Sequence, residues 1–110
     1  MEIMLESIKA AYANNNLLPI RNSFGGLCGN GTIACCPMVA LYINETKDLP
    51  TVWADESYND KVVNYLKNLE PDINYLAIGW DNYFPIQKLT ESRKNLFELG
   101  LQAAKVLGVS

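Results

Sequence analysis

LCGNGTIACCPM, Leu27 to Met38, runs directly into the apolar segment MVALYI, Met38 to Ile43. Whether that segment is a buried helix or a buried strand decides the fold class. Periodicity alone does not separate the two for so short an apolar run. The residues before it favour a helix. Pro37 suits the first helical position, where its missing N–H costs nothing, and Cys36 falls at the N-cap. The glycines of FGGLCGNG read as a flexible turn leading into that start. They match neither a dinucleotide-binding nor a phosphate-binding loop.

The same ambiguity returns at Ile73 to Trp80 (INYLAIGW). Pro71-Asp72 is a good helix start with Asp72 as N-cap. Ile73, Leu76, Ala77, Trp80 and Phe84 would then share one face, and Pro85 would mark the end. Three other helices are predicted: Glu2 to Ala13, closed by Asn14-Asn15-Asn16; Tyr58 to Leu69, with Ser57 and Asp60 at capping-box spacing; and one opened by Thr90 and stopped by Gly108. Leu17 to Arg21 reads as a short extended piece interrupted by Pro19. In the last helix Glu91, Lys94, Glu98, Gln102 and Lys105 form one polar stripe, and apolar residues cover most of the rest. A helix with so wide an apolar face is either central or shared with a partner chain. Gly100 inside it is explained by a close helix crossing. The expected fold is therefore mainly α: one domain over residues 1–110, about five helices, the C-terminal helix central. The alternative is α+β, with short strands at 38–43 and 73–80.

Composition bounds the function. Of 110 residues, 49% are hydrophobic and 19% charged, a balance typical of a globular chain. The net charge of −3 is spread without a basic run. That disfavours nucleic acid as a partner, which needs clustered cations, and an anionic membrane surface for the same reason. The N-terminus carries Glu2 and Glu6 where a secretory leader would be basic, and no apolar run approaches the length of a membrane span. A cytoplasmic location follows, where the cysteines should be thiols and the sequons at Asn30 and Asn44 are accidental.

Histidine is absent. The commonest general base and the commonest metal ligand are missing together. Three cysteines at C-x6-CC do not supply the four ligands of structural zinc, nor the C-x-x-C of a redox pair. No metal and no cofactor is expected. Among the thiols, Cys36 has the strongest chemical case, with Cys35 beside it, because a helix N-terminus favours thiolate. The competing reading packs both as small hydrophobes. A second constellation, Gly79-Trp80-Asp81-Asn82-Tyr83-Phe84, offers Trp80, Asp81 and Asn82 as the lining of a ligand pocket. Its competing reading makes Trp80 and Phe84 core, Asp81 and Asn82 a terminal turn, and Gly79 a packing device.

The order Cys36-Pro37-x-x-Ala40-Leu41, then Gly79 to Asn82, then Leu99-Gly100 resembles a family of small, uncharacterised bacterial and phage-type proteins. In these a Cys-Pro or Cys-Ala helix start precedes a Gly-Phe-Asp-Gly turn and a Tyr-x-Leu-Gly helix. The chain departs by Trp80 in place of Phe and Asn82 in place of the closing Gly. The resemblance implies the helical reading and transfers no catalytic role. The expected function is a small non-enzymatic binding module, with a second copy of the chain or another protein as partner. The alternatives are a thiol-dependent enzyme or redox sensor at Cys36 or Cys35, and a small-ligand-binding domain using Trp80 and Asp81.

Overall fold

The apolar run after Cys36 is a helix. The computed structural model describes residues 2–109, and in it α2 spans Pro37–Thr46 with Pro37 at its start and Cys36 as its extended N-cap. Every residue from Pro37 to Ile43 is buried, so the first two turns of α2 are covered on all sides. It ends where Lys47 turns left-handed and returns its N–H to the Ile43 carbonyl at 2.8 Å.

Around it lie α1 (Leu5–Asn14), α3 (Glu56–Leu69), α4 (Asn74–Trp80) and α5 (Glu91–Val106). Three short strands complete the chain: β1 (Leu17–Pro19), β2 (Gly25–Leu27) and β3 (Ile33–Cys35). β3 is the middle strand, parallel to β1 and antiparallel to β2. The domain is mainly α, with 53% of residues helical and 9% in strands. No helix among the described residues is long and apolar enough to cross a membrane.

Several expectations are corrected. Neither 38–43 nor 73–80 is a strand; both are helical, and the sheet forms from the extended piece at Leu17 and from the glycine-rich segment. That segment is not a loose turn. Gly25 and Gly26 belong to β2, and the turn is confined to Cys28–Thr32, closed by the Cys28 N–H on the Thr32 carbonyl at 2.8 Å. α2 is the central helix and α5 is not. α5 buries one face, through Leu96, Phe97, Gly100, Ala103 and Ala104, and packs chiefly on α4 with a smaller contact to α1. Its sequence looks apolar nearly all round because Leu99, Leu101, Val106 and Leu107 lie outside the buried face and stay partly exposed. Val106 remains half-exposed.

Caps differ too. Asp55, not Ser57, caps α3, accepting the Ser57 N–H at 3.0 Å. Asp72 caps nothing; its carboxylate faces Arg93 at 3.1 Å and Ser92 at 3.3 Å, tying α5 to the start of α4. Thr90 does cap α5, accepting from the Arg93 N–H. α1 begins at Leu5 rather than Glu2, where the Met4 N–H donates to Ser7 Oγ at 2.9 Å. Phe84 leaves α4 altogether and lies exposed beyond it.

α4 and α5 cross closely, and Gly79 and Gly100 permit it reciprocally. A Cβ on Gly100 would stand 2.2 Å from the Leu76 carbonyl oxygen and 2.6 Å from the Trp80 nitrogen; one on Gly79 would meet the Phe97 carbonyl oxygen at 2.0 Å. The obstacles are backbone atoms and cannot rotate away. Elsewhere in a helix, alanine in place of glycine stabilises by about 1 kcal/mol. Here Gly100→Ala is expected to destabilise by about 2 kcal/mol or more, because the helices must separate. Urea denaturation measures it, and a variant as stable as the parent would show that the crossing is not tight.

Candidate functional site

The two constellations read separately in the sequence meet in one place. β3 delivers Cys35 and Cys36 to the head of α2, and α4 delivers Trp80 and Asp81 to the same region. Tyr12, from α1, joins them. Its hydroxyl donates to the Cys35 carbonyl at 2.7 Å, and its ring stacks on Trp80 with centroids 5.9 Å apart and planes 8° from parallel. Trp80 is fully buried, and its Nε1–H donates to the Ile20 carbonyl at 2.6 Å. Arg21 Nε donates to the Trp80 carbonyl at 2.8 Å, and Asp81 Oδ1 accepts the Asn22 N–H at 2.7 Å. Asn82, in the left-handed region at φ 62°, returns its N–H to the Gly79 carbonyl at 3.0 Å.

The local sequence explains this convergence. A buried indole needs an acceptor for its single N–H, and the segment following β1 supplies one. Asp81 and Asn82 then terminate α4 and pin the loop at Asn22. The indole N–H, the Asp81 Oδ1 and the backbone N–H of Asn82 are engaged by the fold, while the Asn82 side chain is exposed.

Cys35 and Cys36 are buried, and all three cysteines are free thiols. Burial pushes the Cys36 thiol up to about 11, against the N–H groups of Val39 and Met38 at the head of α2, which favour thiolate; the Asp81 carboxylate adds to the rise. Desolvation thus outweighs the helix terminus. Burial raises Cys35 as well, with Cys36 adding to it. Tyr12 is held protonated for the same reason. Thiols in this state are weak nucleophiles and present no sulfur to solvent. Cys28, partly exposed in the β2–β3 turn, stands apart. Among the described residues no group of three or more His, Cys, Asp or Glu side chains could hold a metal ion.

A second cluster has no counterpart among the sequence motifs. Buried Tyr42 donates its hydroxyl to Asp48 Oδ2, Lys61 Nζ reaches the same oxygen at 3.1 Å, and Tyr58 donates to the Asp48 carbonyl at 2.7 Å. The Tyr42 ring meets those of Tyr58 and Tyr65 edge-on, each at 5.6 Å. The Tyr42 hydroxyl and Lys61 hold the Asp48 carboxyl below its ordinary range. This geometry anchors the loop after α2. The only clue lies in the ring and acid spacing, which no local pattern distinguishes from a surface.

A cleft of about 800 Å3 runs along α1, β1 and β3, lined by Lys9, Tyr12, Leu17, Leu18, Thr32 and Ile33 among others. Neither Trp80 nor the cysteine pair opens into it as a reactive group. The conspicuous unburied residues lie instead in the loop between α4 and α5. Phe84 is 68% exposed and Ile86 104%, with Tyr83 exposed as fully as Phe84. Only the edge of Phe84 is partnered, against Phe97 at 5.4 Å.

No protein-family profile, curated protein or solved structure matches the chain.

The buried thiol makes a prediction about alkaline pH. An unfolded Cys36 ionises near 9.0 and the folded one near 11. Stability is fully present below pH 9 and is lost as pH rises towards 11, because the unfolded chain releases its proton first. The Cys36 share of that loss is about 2 kcal/mol. Urea midpoints between pH 8 and 11 should fall less steeply for Cys36→Ala than for the parent, and equal slopes would mean that the thiol ionises freely in the folded state.

Proposed function

We propose that the protein is a small non-catalytic binding module whose contact surface is the apolar loop bearing Tyr83, Phe84 and Ile86. The single observation carrying this reading is Ile86, whose whole side chain stands in water beside two exposed aromatic rings. Three large apolar side chains exposed within four residues are costly to leave wet, and exposed apolar patches are typical of contact surfaces. Aromatic residues are also the side chains most enriched where partners bind. The partner is a second copy of the chain or another protein. The broad apolar face of α5 no longer supports self-association, since α4 and α1 cover much of it; the loop takes over that role. A cytoplasmic, reducing setting suits three free thiols. The dispersed net charge of −3 speaks against nucleic acid and anionic membranes as partners.

The thiol and ligand alternatives are weaker on the same physical grounds. A reaction at Cys36 or Cys35 needs prior opening of the core, and a ligand at Trp80 or Asp81 would have to displace internal hydrogen bonds.

Ile86→Asp tests the reading. Because the side chain touches little of the fold, its thermal stability should stay within about 0.5 kcal/mol of the parent. Light scattering over a concentration series should show self-association weakened at least tenfold in the variant, or a protein retained by the immobilised parent should be lost by it. A parent that stays monomeric at its solubility limit and retains the same proteins as the variant overturns the proposal.

A further inference from the structure

The outer edge of β2 is closed by the chain itself. Trp53 lies opposite Gly26 in an isolated antiparallel bridge, with the Leu27 N–H on the Val52 carbonyl at 3.2 Å and the Ala54 N–H on the Gly25 carbonyl at 3.1 Å. Those two backbone bonds are the described hydrogen bonds holding residues 51–54 to the sheet. Thr51, Val52, Trp53 and Ala54 are all at the surface, and the two large side chains, Val52 and Trp53, are each only about half covered. It is bounded by buried Pro50 on one side and by Asp55, the cap of α3, on the other. Pro50 is in turn held by the Asp48 anchor two residues earlier, which ties Tyr42, Tyr58 and Lys61 together.

The segment is also strained where it rejoins α3. Ala54 sits at φ 55°, in the left-handed region that side chains disfavour. Across from it, only glycine permits the approach: a Cβ on Gly26 would stand 2.4 Å from the Val52 carbonyl oxygen and 3.0 Å from Trp53 Cα. Few bonds, half-covered side chains and stored strain define a unit that opens locally while its surroundings stay folded.

We propose that residues 51–54 form a strap that lifts from β2 as one unit while the three-stranded sheet remains paired. Its two ends are fixed, so the motion is confined to the four residues between Pro50 and Asp55. The open state presents the Leu27 N–H and the Gly25 carbonyl, the pair with which a sheet edge accepts an extended backbone. In the closed state the strap occupies that edge and keeps it from pairing with other chains.

Amide hydrogen exchange resolved by residue tests this on the intact chain. The Leu27 and Ala54 amides should exchange together, with protection about tenfold or more below that of Ile20 and Cys36, whose N–H groups bond the Cys35 and Phe24 carbonyls. Ala54→Gly relieves the left-handed strain of the closed strap and should slow exchange at Leu27 and at position 54 by about two- to fivefold. Gly26→Ala should abolish protection at Leu27 and Ala54 and leave Ile20 protected. If Leu27 and Ala54 are as protected as Ile20 and Cys36, or exchange independently of each other, or ignore Ala54→Gly, the strap does not exist as a unit. Those three outcomes overturn it even if Gly26→Ala fails to fold.

Discussion

From Pro37 to Ile43 α2 has no face turned to water, and that constraint orders the rest of the molecule. A helix wrapped in apolar contacts must dispose of every polar group it carries. At its head the Cys36 sulfur stands near the N–H groups of Met38 and Val39, and the Cys36 carbonyl takes the Ala40 N–H at 3.1 Å. Along its length the one buried side-chain hydroxyl, on Tyr42, is met by Asp48. Near its end Asn44 accepts from Asn15, which also receives Lys47. The need to satisfy Tyr42 places Asp48, Asp48 fixes the loop after α2, and that loop reaches back to close β2. The path from core burial to sheet edge is continuous.

A second consequence concerns the residues that look chemical in isolation. Cys36 sits where a helix terminus should activate it, yet the same burial that makes α2 central removes the water a thiolate needs. The two effects act on one sulfur and desolvation is the larger. Trp80 and Asp81 follow the same logic. α4 is only seven residues long and leans on α5 through the Gly79–Gly100 crossing. That crossing sinks Trp80 against Tyr12, and its indole then needs Ile20 as acceptor. Reactive residue types are consumed in holding α1, β1, β3 and α4 around α2.

The helices are legible in the sequence where a local rule decides them. Pro37 after an N-cap residue marks α2, Thr90 marks α5, and the asparagine run marks the end of α1. Gly100 announces the close crossing because glycine inside a helix asks for a packing reason. What stays illegible depends on distance along the chain. Nothing near Asp72 says that Arg93 will claim it, so it reads as a cap. Nothing near Gly25 says that Trp53 will lie against its neighbour, so a strand reads as a loose turn. The apolar face of α5 misleads for a different reason: Leu99, Leu101, Val106 and Leu107 flank the buried face and stay partly exposed, and a count of apolar residues does not show which of them find a neighbour. Of the candidate site, Cys35, Cys36, Trp80 and Asp81 do cluster, and what the sequence does not carry is solvent access, a tertiary property: Cys35, Cys36 and Trp80 are closed to water.

The loop between α4 and α5 carries the three most exposed large apolar side chains among the described residues, and its ends are held firmly. At the start Asn82 and Tyr83 return their N–H groups to the Gly79 and Ile78 carbonyls at 3.0 and 3.1 Å. At the far end Thr90 caps α5, and Arg93 bridges Asp72 while lying over the Tyr75 ring at 5.1 Å. Phe84 is oriented between them by its contact with Phe97. Docking onto a segment fixed at both ends forfeits less conformational entropy than docking onto a free loop, so more of the apolar burial survives as affinity. The fold gains little from Ile86 in water, and a partner would gain most of what that side chain can give. Because Phe97 lies on the same turn of α5 as the helix crossing at Gly100, the crossing that buries Trp80 also sets the position of the exposed ring. The burial of Trp80 and the exposed placement of Phe84 are two results of one packing arrangement.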